Sequence, residues 1–291
     1  MKVLIPNLDF YHFRNIAACL QTIAPKVSLE TFVWNSNEKP IIDAFDEVSP
    51  DLVFIHENQL DTAFNLLCGE FDFNYVLVGS QLPDVPKSPA AVLTSDSFKD
   101  NFKGQQNVMS LLPAARVTEI HAAKKRKMLE SEVLIVTGVV PHTDPIIDSM
   151  RSLCQSYRTK IIGSEPVLLP NYLGKVNMFE RADFIKSAKV LVDFGSYEYL
   201  DAAYLKTPAL FGQPPIASLE GVRTFEDIPT LVSGVESLLS NEAESKEYAK
   251  SLHEGIVHNH TYYHRCAEIF KKIGEDQISN ALLTFLKELL K

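Results

Sequence analysis

The sequence predicts an α/β protein built from two parallel-sheet domains. Three observations carry this reading. Short apolar runs bounded by turn residues, such as KVLIP at Lys2 to Pro6 and DLVFIH at Asp51 to His56, have the length and composition of buried parallel strands. Segments of about ten residues with apolar side chains at helical spacing stand between them, as right-handed crossovers require. The alternation then restarts near residue 131, and 291 residues suffice for two domains of about 130 to 150 residues each.

The first strand, Lys2 to Pro6, ends in the turn Asn7, Leu8 and Asp9. Phe13 to Ile23 follows as a helix, with Phe13, Ile16, Ala17, Leu20 and Ile23 on one face. Val27 to Trp34 is a second strand, and Ile41 to Val48 a helix ending before Ser49-Pro50. Asp51 to His56 is a strand, Gln59 to Cys68 a helix, and Tyr75 to Val78 and Ala91 to Thr94 are strands. Three prolines make residues 81–90 a loop, and a short helix follows at Asp96 to Asn101. The stretch Pro113 to Ser131 differs in kind. Its basic run, Lys124 to Lys127, is either a solvated face or linker, or a rim for an anionic ligand.

The restart begins with the strand Val133 to Val136, the turn Thr137 to Asp144 and the helix Pro145 to Tyr157. Strands follow at Thr159 to Ile162, Lys189 to Asp193 and Ala209 to Phe211, with a short strand or turn at Val176. Helices are expected at Arg181 to Ser187, Tyr197 to Lys206, Thr230 to Leu239, Ala243 to Glu254 and Thr261 to Ile273. The last helix, Ile278 to Leu290, carries Ile278, Leu282, Phe285, Leu286 and Leu289 on one face and needs a partner surface. The expected organisation is a first domain over 1–125, a second over 131–274, and an amphipathic helix over 275–291 that packs back on the body. Ligands of such sheets bind outside the carboxyl ends of the strands, so the cleft between two such domains is the expected site.

Composition narrows the function. The formal net charge is −9 and the isoelectric point about 5.4, which gives no pull toward phosphate backbones or anionic membranes. Cys19, Cys68, Cys154 and Cys266 are far apart, with no Cys-x-x-Cys pair, and read as reduced core thiols of a cytoplasmic protein. The N-terminal apolar run is too short for a signal peptide, and no segment has the length of a bilayer span.

The candidate site lies in ADFIKSAKVLVDFGSYEYLDAAYLKTPALFG, residues 182–212. Gly195 lets the backbone turn tightly or approach a ligand, Ser196 can cap the helix expected from Tyr197, and a helix start at a strand's carboxyl end suits an anion. Asp201, one turn in, can accept hydrogen bonds from two vicinal ribose hydroxyls. Alternatively it only complements the helix dipole, and Ser196 caps an ordinary helix.

The same stretch resembles the nucleotide-sugar-binding segment of GT-B glycosyltransferases, with LDAAYLKTPALF similar to that family's L-E-A-x-A-x-G-x-P run and Lys206 in place of its helix glycine. The tail HNHTYYHRCAEIFKKIG resembles the ending of CgeB-like members through His260, Thr261, Tyr262, Arg265, Glu268 and Ile269, and Gly174 resembles a Gly-x-Val before the donor helix. The resemblance implies two Rossmann-like domains facing a cleft. It implies a nucleotide-sugar donor as substrate, with no separate cofactor and no metal requirement. Asp201 would hold the ribose, Gly195, Ser196 and Tyr197 would face the diphosphate, and Gly138, His142, Thr143 and Gly174 would complete the donor site. No Arg-Lys pair stands where many members clamp the diphosphate.

The first domain would supply the acceptor side. Asp9 or His12 would act as the base, and Arg14 and His56 would contact a phosphate or the acceptor. Each of these can equally be a surface turn residue or a helix cap. His258, His260 and His264 lack a carboxylate that would complete a metal site. The acceptor is open: a modified DNA base as in phage enzymes, which the acidic balance does not favour, a glycan, or a protein. Two other functions fit the same residues: a catalytically silent GT-B-like nucleotide-binding or partner protein, and a nucleotide-sugar epimerase.

Overall fold

The computed structural model describes residues 1–7, 11–81, 85–137, 144–164, 166–212, 219 and 221–291. They form two compact units, Met1–Leu112 with Tyr262–Lys291, and Pro113–Thr261. Each is built on one parallel sheet with helices on its faces, the Rossmann-like arrangement expected.

The first unit runs β1 (Lys2–Pro6), α1 (Tyr11–Ile23), β2 (Glu30–Trp34), α2 (Ile41–Val48), β3 (Leu52–His56), α3 (Thr62–Glu70), β4 (Asn74–Val78), β5 (Ala91–Thr94) and β6 (Val108–Ser110). The strand order is β2-β1-β3-β4-β5-β6, all parallel. Val3, Leu4, Ile5, Val53, Phe54, Ile55, Val76 and Leu77 are buried, so the central strands are apolar on both faces, as a sheet covered on both sides requires. Local chemistry sets the ends of its helices. Ser49 adopts a left-handed conformation and its amide closes on Phe45 O at 2.7 Å, stopping α2, while the Asp61 carboxylate accepts from Phe64 N at 2.9 Å and starts α3.

The second unit runs α4 (Val117–Ile120), β7 (Ser131–Thr137), α5 (Asp144–Ser156), β8 (Thr159–Gly163), α6 (Met178–Ser187), β9 (Ala188–Asp193), α7 (Glu198–Tyr204), β10 (Ala209–Phe211), β11 (Arg223–Thr224), α8 (Ile228–Ser240) and α9 (Glu242–Asn259). Its strand order is β11-β10-β9-β7-β8, again all parallel. The chain leaves β7 toward β8 on one side and returns to β9 on the other. The order therefore reverses beside β7, and the carboxyl ends of β7 and β9 flank the crevice where such sheets take ligands.

The domain bounds differ from the sequence reading of 131–274. The second unit stops at Thr261, because α10 (Tyr262–Lys272) belongs with α1 in the first unit. Tyr263 Oη lies 3.0 Å from Thr22 Oγ1, Arg265 Nε reaches Leu112 O at 3.4 Å, and Phe270 meets Phe54. The tail that resembles a family ending is thus largely a packing element. Beyond that tail, α11 (Asp276–Leu289) buries Ile278, Leu282 and Leu286, with Phe285 against Tyr263, so the amphipathic helix packs back as expected. At the other bound, residues 113–130 join the second unit. Lys124 N donates to Asp183 Oδ1 at 2.7 Å, Arg126 N donates to Ser187 Oγ at 2.8 Å, and the Arg126 guanidinium pairs with Asp183. The basic run is fastened along α6 by its backbone and by Arg126, which favours the linker reading over a ligand rim.

Two strands escaped the sequence reading. Val108–Ser110 and Arg223–Thr224 are three- and two-residue edge strands, each paired on one side only, and too short to show a period. Val176 is in no strand. Among the described residues no helix is long and apolar enough to cross a membrane.

Candidate functional site

The expected anion site at residues 193–201 is built differently from the expectation. Asp193 ends β9 with no exposed surface. Its Oδ1 accepts from Gly195 N at 2.9 Å, Ser196 N at 2.6 Å and Ser196 Oγ at 2.7 Å, and its Oδ2 accepts from Tyr199 N at 3.0 Å. The protein's own carboxylate therefore sits where a diphosphate was expected. Burial pushes the Asp193 carboxyl up to about 6, against the hydrogen bonds from Ser196 and Tyr199 that favour its ionised form. Ser196 is not the cap. The helix begins at Glu198, and the residue before it is Tyr197, at φ 61° and ψ 15° with no side-chain capping bond. Gly195 has φ 108°, a conformation that favours glycine. The helix itself is only seven residues long. One signal in the sequence pointed this way: an aspartate at the end of a strand with Gly-Ser two and three residues on, as in Asp193-Phe194-Gly195-Ser196, is the pattern of a turn closed on its own side chain.

Asp201 is also occupied. It is 1% exposed, and its Oδ1 accepts from Arg116 N at 2.9 Å while its Oδ2 accepts from Arg116 Nε at 2.6 Å. Arg116, itself buried, also pairs with Glu198, and Glu198 pairs with Arg181. Burial raises both carboxyls. For Glu198 the two arginines more than offset it and hold the group below its usual value. For Asp201 burial prevails, helped by the Glu198 charge, and the group ends above its usual value. These groups form a closed ionic cluster that ties α7 to the segment before α4, so Asp201 presents no free oxygen to a ribose. Lys206, at the family's glycine position, has φ 59°; the backbone there is left-handed, which explains why a glycine suits it.

The other expected residues fall as follows. Gly174 has φ 94°, and its carbonyl accepts from Gly163 N at 3.2 Å, beside the end of β8. In the first unit, His12 is half-buried with Nδ1 2.8 Å from Tyr262 Oη, and burial, then Arg265, lowers its pKa to about 4. Arg14 is exposed on α1. His56 ends β3, its Nδ1 accepts from Asn58 N at 3.2 Å, and burial lowers its pKa while Glu57 opposes. Asp9, Gly138, His142 and Thr143 lie outside the described residues. His258 Nδ1 meets Glu254 O, and the described residues hold no group of three or more side chains arranged for a metal ion.

A pocket of about 410 Å³ lies within the second unit, at the carboxyl side of its sheet. Pro145 and Ile146 from the first turn of α5, Phe194 after β9, Gly212 after β10, and Phe225 and Ile228 beside α8 line it. Phe194 and Phe225 meet edge to face at 5.3 Å. A Cβ on Gly212 would stand 2.8 Å from Phe225 Cζ, so the ring holds its place only because residue 212 is glycine. The start of α8 is closed by its own residues: Asp227 Oδ1 accepts from Thr230 N at 2.8 Å, and Thr230 Oγ1 accepts from Asp227 N at 3.2 Å. The pocket is therefore a mainly apolar slot of ligand size, bordered by the start of α5, a thirteen-residue helix that follows β7. Phe194, Phe225 and Ile228 were missed because an apolar residue after a strand looks the same whether it lines a pocket or a core.

No family profile matches the sequence, and no curated protein matches it. Solved structures do match its fold. The chain superposes on a protein assigned as a UDP-N-acetylglucosamine 2-epimerase from Listeria monocytogenes with a TM-score of 0.60, at 12% identity, over 99% of this chain and 96% of that one. A UDP-GlcNAc 2-epimerase from Neisseria meningitidis, bound to UDP-GlcNAc, gives 0.57 at 11% identity over 99% and 100%. The glycotransferase of kitacinnamycin gives 0.55 at 10% identity over 93% and 98%. The fold is that of the GT-B class, with two Rossmann-like parallel-sheet units.

Proposed function

We propose that the protein is a nucleotide-sugar-dependent enzyme whose second unit holds the nucleoside diphosphate. The observation that carries this is the slot between Pro145, Phe225 and Ile228 at the carboxyl ends of the second sheet. Its apolar walls suit the flat face of a base. Of the two helix starts that border it, that of α8 is filled by Asp227, whose hydrogen bonds from Thr230 keep its carboxyl below the usual range and so ionised. That charge repels phosphate, which leaves the start of α5 for the diphosphate. Gly138, His142 and Thr143 precede α5 in the sequence and are proposed to take part. The turn at Gly195 and the Asp201 carboxylate are not, since Asp193 and Arg116 engage them.

Transfer of the sugar to an acceptor is the first reading. Asp9 and His12 are the proposed bases, and the low pKa of His12 keeps it in the uncharged form a base needs. Epimerisation of the bound sugar is the second, supported by the near-complete length match to the two epimerase structures. Thermal shift with UDP, GDP and TDP tests the common claim, and no shift with any nucleotide rejects it. Incubation with the nucleotide sugars separates the two readings. Nucleotide released only when an acceptor is added marks transfer. A changed sugar configuration without acceptor marks epimerisation. Binding without either marks a silent nucleotide-binding protein.

A further inference from the structure

The first unit carries a larger cavity, with His56 in its wall. It measures about 580 Å³ and lies beyond the carboxyl ends of β2 and β3, where Trp34 and His56 are the last strand residues. In this sheet β1 sits between β2 and β3, and the chain leaves β1 to β2 on one side before returning to β3 on the other. The cavity thus opens at the carboxyl edge of the first sheet, the edge at which parallel sheets take ligands.

Its lining is polar but electrically balanced. Ser36, Asn37, Asn58 and Gln59 contribute hydroxyl and amide groups, and the amide residues Asn37 and Asn58 are exposed. The two charged side chains are engaged elsewhere: Lys39 pairs with Glu47, and Asp61 caps α3 through Phe64 N. The Trp34 indole donates to Lys39 O at 2.7 Å, which fixes the wall. Gln59 is held by its oxygen, since the His56 backbone amide can only donate and reaches Oε1 at 3.1 Å. That orientation fixes Nε2, a buried donor with no partner among the described residues. An unmet donor of this kind is costly, and it lies behind the cavity wall, so the groups a ligand meets first are the exposed amides of Asn37 and Asn58. A phosphate finds no unpaired cation here, and an apolar ligand would strand the amides. What fits is an uncharged molecule with many oxygens that both donate and accept.

We propose that this cavity is a second small-molecule site that takes a neutral saccharide. On the transfer reading, and resting on it, that saccharide is the acceptor; on any other reading it is an independent ligand. Saturation-transfer NMR with methyl β-glucoside, methyl β-galactoside and maltose tests this, with saturating UDP and inorganic phosphate as competitors. At least one saccharide is expected to receive saturation, to keep it when UDP or phosphate is added, and to bind about fivefold more weakly to the Asn37→Ala/Asn58→Ala protein, the scale of one lost hydrogen bond. Both residues are exposed, so the variant is expected to fold and to keep the UDP thermal shift. The proposal is overturned if no saccharide receives saturation, if UDP or phosphate abolishes it, or if the double variant binds as the parent does. A UDP shift without saccharide binding defeats only this proposal. Saccharide binding without any nucleotide shift defeats only the nucleotide reading.

Discussion

Replacing Asp201 by alanine deletes both oxygens that face Arg116, whose guanidinium is only 4% exposed, while Glu198 stays paired with it. It also strips the Arg116 backbone amide of its acceptor. Removing one partner of a buried ion pair costs about 3 to 5 kcal/mol, and because Glu198 stays, the expected loss is about 3 kcal/mol. Asp201→Asn keeps an oxygen for the backbone amide, so it should lose less, about 1 to 2 kcal/mol. The lone tryptophan, Trp34, lies in the first unit and would not report this. Hydrogen exchange at the β7 amides, residues 131–137, reads the stability of the second unit directly. Nucleotide affinity in Asp201→Asn should stay within about twofold of the parent, corresponding to less than 0.5 kcal/mol. A stability loss below about 1 kcal/mol in Asp201→Ala, together with tenfold weaker nucleotide binding in Asp201→Asn, would refute the structural role and return Asp201 to the ribose.

Three further outcomes follow from the geometry. Lys206→Gly relieves a left-handed lysine and removes a charge that disfavours protonation of Lys186 and His253, so the second unit should gain about 1 kcal/mol in chemical denaturation followed by hydrogen exchange. Gly212→Ala forces the Phe225 ring to shift, and nucleotide binding measured by calorimetry should weaken by about tenfold, the scale of a lost aromatic stacking contact. Asp193 should make the protein less stable as pH rises. Its folded value of about 6 lies above the ordinary 3.8, so its contribution is whole below pH 3.8 and is lost by pH 6, about 3 kcal/mol across the window. His12 tilts the other way, being lowered to about 4 from 6.5: its contribution is whole above pH 6.5 and is lost as pH falls through 4. The comparison is therefore between the parent and Asp193→Asn, and the parent should lose ground to the variant between pH 4 and 6. A gap that stays constant across that window would contradict the raised carboxyl.

The strands were legible wherever burial on both faces left an unbroken apolar run, as in Val53, Phe54 and Ile55 or in Val190, Leu191 and Val192. The edge strands were not, since Arg223 and Thr224 carry no pattern beyond their two residues. Gly195, Ser196 and Asp201 were visible as a site-like motif, but their partners were not. Arg116 stands 85 residues before Asp201, and nothing local to either announces that they meet. With Arg116 unseen, a buried carboxylate looked like a free one. The same limit hid the return of α10 to the first unit: the HTYYHR run reads as a motif, while its contacts with Thr22 and Phe54 arise only in three dimensions.

The most direct test of the account is a crystal structure of the protein soaked with UDP or TDP. The base is expected between Pro145 and Phe225, with the diphosphate at the start of α5 and the Asp193–Ser196 and Asp201–Arg116 hydrogen bonds intact. A nucleotide seated on Gly195 to Tyr197 with its ribose on Asp201, or one lodged between Trp34 and His56 in the first unit, would contradict it.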